Sequence, residues 1–220
     1  MNKLGFKQFL LPIIVSGIIC LMYFGPITRT VFENVILSII IIIASGVENK
    51  KTAFSALGFY RDKITAKNSF LIAPITAFGL FVFYVAAIVP FVETLTGIPI
   101  DYSSMHQLRG DLPLTFIWLV IVWITAGFGE EIIFRGYLMR QFVKFFGESK
   151  ISMAVNILLF SSFFGYMHMQ QGITGQIVAA STGSLLSLLF YLRKYDLWFN
   201  IMVHGYFNTL GLFSFYLGLA

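Results

Sequence analysis

The sequence predicts an all-α protein, a polytopic transmembrane helical bundle with about seven spans. Three observations carry that prediction. Of the 220 residues, 58% are hydrophobic and only 11% charged, whereas soluble domains carry about 25% charged residues. Apolar runs approaching the roughly 20 residues needed to cross a bilayer recur along the chain. Lysines and arginines sit in short clusters between those runs, which is the charge pattern of membrane topology.

The first run follows Lys3 and Lys7 and reads like a signal peptide. A bulky Ile19 before Cys20 and the lack of a small-residue cleavage pattern predict a retained span over 8–25. A second span is expected over 27–47, with Arg29 and Glu33 four residues apart near its outer end as a snorkelling pair. The stretch ENKKTAFSALGFYRDKITAK (48–67) is too polar to span and predicts a cytoplasmic loop with a short interfacial helix. Further spans are expected over 69–92, 113–134, 151–169, 173–192 and 196–218. The sixth carries Gly175, Ala179, Gly183 and Ser187 at four-residue spacing, a stripe that lets another helix approach closely. Read as one straight helix, 113–146 would be about 50 Å long, more than the roughly 30 Å hydrocarbon core, so tilt, a cytoplasmic extension or a kink near Gly127 and Gly129 is expected.

The connections support this count. Every second one is basic: Lys50, Lys51, Arg61, Lys63 and Lys67 lie between spans two and three, Arg140, Lys144 and Lys150 follow span four, and Arg193 and Lys194 follow span six. Alternate connections hold only Arg29 and Arg109, the latter beside Glu93, Asp101 and Asp111. An integral, multi-pass protein of the cell membrane with a cytoplasmic N-terminus follows. The net charge of +5 thereby finds its partner in the lipid bilayer rather than in nucleic acid. A lone Cys20 forms no intramolecular disulfide, and His106, in a polar outer loop, is expected to be solvated.

Ionisable groups inside the hydrocarbon cost from about 2.5 kcal/mol upward each and mark function by default. They concentrate late in the chain: Glu130, Glu131 and Arg135 in AGFGEEIIFRGYLMRQF, His168 in FFGYMHMQQG, and His204 with Asn208 in NIMVHGYFNTLG. Glu131 and Arg135 are four apart with the acid first, the favourable order for a helical ion pair. Glu130 is rotated about 100° from Glu131 and so faces something else, as a candidate general base. His204 and Asn208 share a helix face and offer two donors to a developing oxyanion. Phe164 lies one turn before His168. Zinc is the rival chemistry, with Glu130, His168 and His204 as ligands, although no HExxH pairing is present.

These residues resemble a known family. Glu130-Glu131-x-x-x-Arg135, Phe164-x-x-x-His168 and His204-x-x-x-Asn208, in that order, are similar to the three motifs of the CPBP (Abi) family, which comprises type II CAAX prenyl endopeptidases and bacterial bacteriocin-processing and immunity proteins. The resemblance implies one integral membrane domain, with N-terminal transmembrane helices and loops over 1–112 and the catalytic helices over 113–220. It also implies an intramembrane peptidase in which Glu130 and His168 activate a water, His204 and Asn208 stabilise the oxyanion, and Glu131 and Arg135 hold the site in shape. No cofactor is required by that mechanism, and zinc stays open as an alternative. The expected partner is a lipidated, leader-bearing or otherwise membrane-associated peptide or protein; leader-peptide or bacteriocin cleavage suits the short chain and compact loops. A non-catalytic bacteriocin immunity protein and, third, a transporter are the rival expectations.

Overall fold

The computed structural model describes residues 6–25 and 32–219. Among them there is no strand. Seven principal helices run as α1 (Phe6–Phe24), α2 (Glu33–Asn49), α3 (Asn68–Thr96), α4 (Leu112–Phe146), α5 (Lys150–Tyr166), α6 (Gly172–Leu192) and α7 (Leu197–Leu217). Three stretches, Asn68–Thr96, Leu112–Phe146 and Met169–Leu192, are long and apolar enough to cross a membrane. Gln8–Phe24 and Lys150–Tyr166 are apolar but shorter. Their large apolar side chains face outward: Phe70, Phe78 and Phe91 on α3, and Phe116, Ile117 and Val120 on α4, are exposed. In water such a surface would drive aggregation; against lipid tails it is the solvated face.

One expectation is revised. α5 ends at Tyr166, so His168 sits in the turn that leads into Met169–Gln171 rather than on a span reaching residue 169. The chain must reverse here to lay α6 against α5, and Gly172, at φ 73°, completes the reversal where a β-carbon would be strained. α4 continues to Phe146 as one 35-residue helix, loosened by π-helical turns at Trp123–Glu130 and Ile132–Met139. Wide turns of this kind are frequent at functional sites, and these two flank Glu131. Arg29 lies outside the described residues, and Glu33 lines a cavity together with Asn34.

The polar stretch after α2 does contain a short helix, Ala53–Ala56. The small-residue stripe of α6 packs on α5. A β-carbon at Gly183 would stand 3.0 Å from the Phe164 ring, and one at Gly165 would stand 2.7 Å from Ala180.

Hydrogen bonds sort the connections into two ends. Lys144 Nζ donates to the Gln8 carbonyl, Arg140 Nε to that of Ala56, and Lys63 Nζ to those of Arg193 and Lys194. Lys144 also pairs with the buried Glu48. The start of α1 and all the basic connections therefore meet at one end of the bundle. At the other, the Asp101 N–H donates to the Gln171 carbonyl and that of Gly110 to Tyr216, while Thr96 and Thr174 share a 2.8 Å hydroxyl contact.

Candidate active site

Glu131 is the hub of the interior. Its side chain is fully buried, and three groups hold it: Arg135 Nη1 at 2.9 Å and His204 Nδ1 at 2.9 Å, both on Oε1, and Asn200 Nδ2 at 3.2 Å on Oε2. Arg135 spends its other terminal nitrogen on the Gly183 carbonyl at 2.8 Å and lies 5.0 Å over the Phe164 ring. Asn200 also donates to the Leu186 carbonyl at 2.9 Å. The carboxylate thus joins α4 to α7 directly, and its partners carry the network on to α6 and α5. A buried charge of this kind is tolerable only when paired and hydrogen-bonded throughout.

Glu130 points elsewhere, as the 100° rotation predicts. Its side chain keeps 17% of its exposure and lines a cavity of about 400 Å³ that also receives Tyr23, Asn34, Thr125, Phe164 and His168. Glu130 Oε2 stands 4.0 Å from His204 Nε2, and Oε1 is 3.5 Å from Asn34 Nδ2.

Hydrogen bonds assign the two histidine tautomers, since a carbonyl or carboxylate can only accept. His168 Nδ1 is 2.8 Å from the Phe164 carbonyl and so carries the proton, leaving Nε2 as an acceptor at the cavity wall. His204 donates a hydrogen bond from Nδ1 to Glu131, which turns Nε2 toward Glu130. Phe164 contacts both rings, tilted against His168 with centroids 4.8 Å apart and edge-on to His204 at 6.2 Å.

Asn208 is half-buried one turn beyond His204 and makes no hydrogen bond among the described residues. It does not line the cavity. Among the described residues no three His, Cys, Asp or Glu side chains converge to hold a metal ion; Glu130 Oε2 and His204 Nε2 stand 4.0 Å apart.

Sequence reasoning missed Asn200, Asn34 and Tyr23. Asn200 was detectable, since it stands four residues before His204 as Asn208 stands four after, on one helix face. Asn34 and Tyr23 carry no such spacing signal.

The fold and site define an α-helical integral membrane protein with a polar, partly exposed centre walled by its late helices together with the ends of α1 and α2. Residues 112–210 match the family described as Type II CAAX prenyl endopeptidase Rce1-like, which bears out the resemblance read from the three motifs. That family is one of proteases, acting on peptides in a lipid setting. No curated protein and no solved structure matches the chain.

Proposed function

We propose that the protein is an intramembrane endopeptidase that hydrolyses a lipidated, leader-bearing or membrane-associated peptide with a water activated by Glu130 and His168. The observation that carries this reading is the shared cavity: a carboxylate and an imidazole with an open Nε2 acceptor face the same space of about 400 Å³. Water held between them gives up a proton as its oxygen attacks the peptide carbonyl. The resulting oxyanion is met by His204 and Asn208, the C–N bond breaks, and the stored proton goes to the departing amine.

For His204 to donate from Nε2 it must be an imidazolium, because its Nδ1 proton is already committed to Glu131. In that state the formal charges of Glu130, Glu131, Arg135 and His204 sum to zero, which suits a low-dielectric interior. Asn208 is half-buried outside the cavity in the free protein; its part in this reading requires α7 to carry it toward the oxyanion when substrate binds.

All seven helices cross the bilayer in this reading, with the basic end and the N-terminus in the cytoplasm. The cavity-lining residues Tyr23, Asn34 and Met167–Gln170 lie at the ends of α1, α2 and α5 remote from the basic connections, which supports entry of the scissile bond from the outer side.

The test is cleavage of a panel of lipidated and leader peptides by purified wild type and by the Glu130→Ala and His168→Ala variants. Loss of general acid–base catalysis costs about 10²- to 10⁴-fold. Wild-type turnover by either variant would remove the proposed water activation.

A further inference from the structure

The family match begins at residue 112, yet part of the cavity wall comes from α1 and α2. Asn34, on the first turn of α2, presents its side-chain amide to α4 at the site itself. Nδ2 lies 3.2 Å from the Thr125 carbonyl and 3.5 Å from Glu130 Oε1, while Oδ1 receives the Tyr23 hydroxyl at 2.6 Å. This orientation is settled by its neighbours, because a flipped amide would set its oxygen against a carbonyl and a carboxylate. The approach is close. A β-carbon at Gly129 would fall 2.8 Å from that of Asn34, and Ser38, one turn further along α2, donates to the Gly129 carbonyl at 3.3 Å. α2 is therefore docked on the residue that precedes Glu130.

We propose that Asn34, oriented by Tyr23, is a positioning residue for Glu130: its amide donates to the carboxylate and holds it toward the cavity space shared with His168. The contact is long in the free protein, and catalytic hydrogen bonds commonly tighten once substrate is bound. The N-terminal half, outside the matched family region, thereby completes the site instead of merely anchoring it. This inference rests on the peptidase reading for its kinetic consequence but not for the contact itself.

The experiment uses full-length wild type, Asn34→Ala, Tyr23→Phe and the double variant, with Ser45→Ala as a control elsewhere on α2. Thermal unfolding in detergent checks that each is folded. Asn34→Ala is expected to lower kcat on the order of 10-fold, as loss of an orienting partner does, with KM nearly unchanged. Tyr23→Phe produces a smaller loss, and the two losses are less than additive, because the Tyr23 hydroxyl bears on Glu130 through Asn34. In parallel, labelling of Glu130 by dicyclohexylcarbodiimide, read by mass spectrometry, is faster in Asn34→Ala and unchanged in Ser45→Ala. If the wild type cleaves no peptide, the peptidase reading fails while the labelling still decides the Asn34 contact. Wild-type labelling in Asn34→Ala, or independent and additive losses for the two substitutions, would overturn the proposal.

Discussion

The imidazole of His204 and the carboxylate of Glu131 meet at 2.9 Å in the interior, joining α7 to α4, and the same carboxylate oxygen also accepts from Arg135 at 2.9 Å. Adjacent glutamates thus do different work. Glu131 is committed on both oxygens, whereas Glu130 retains exposure to a cavity.

That contrast predicts opposite outcomes for two similar substitutions. Glu131→Ala strands Arg135, which is 1% exposed, and should destabilise the protein by about 3–5 kcal/mol, the usual cost of breaking a buried pair. Glu130→Ala should leave the thermal transition in detergent close to wild type while activity disappears. Equal stability losses would contradict the assignment of the two roles.

Glycines on α4 and α7 set the spacing of the site. A β-carbon at Gly205 would lie 2.6 Å from the Trp123 ring, whose indole N–H is itself held by Thr209 at 3.0 Å. Gly205→Ala should therefore cost about 1–3 kcal/mol by overpacking and reduce turnover by displacing the neighbouring His204. Gly211→Ala, with open space around it, should be neutral or slightly stabilising, since alanine is the better helix former.

Chelation should leave activity intact. Because no three potential ligand side chains converge among the described residues, prolonged treatment with a zinc chelator followed by metal analysis should yield metal-free protein with full turnover. Activity that falls with the zinc content and returns on its addition would restore the metal alternative.

The access side is testable in intact cells carrying Cys20→Ala. Met169→Cys, at the cavity mouth, should react with an impermeant maleimide added outside, and Lys150→Cys, at the basic end, only after permeabilisation. The reverse pattern would invert the topology.

A pH effect is expected in the loop that braces the His168 turn. The Ser103 hydroxyl and N–H hold the Asp101 carboxylate below its ordinary range, and the Asp101 N–H donates to the Gln171 carbonyl. A depressed folded value contributes order that is fully present above the unfolded value, about 3.9, and is lost as pH falls through the folded one. Amide exchange at Ser103, compared with Asp101→Ala, should therefore converge with the variant in acid and differ near neutrality.

Much of the helical order was legible in the chain, because in lipid the length of an apolar run and the sign of its flanking charges are themselves the physical constraint. The Glu131–Arg135 pair and the divergence of Glu130 were equally legible, since both follow from helical periodicity within one segment. What exceeded the sequence was everything set by contact between segments. His168 proved to lie past the end of α5, where the chain reverses toward α6 within MHMQQG although the apolar run reaches Met169. Asn200 became a ligand of Glu131 only through the crossing of α7 and α4. Asn34 reached Glu130 because Gly129 lets two backbones approach, a relation between residues 96 positions apart that no local pattern encodes. Composition and periodicity determined what the chain must bury and where its charges must sit; tertiary packing decided which polar groups meet, since those encounters depend on interhelical distances that belong to no single segment.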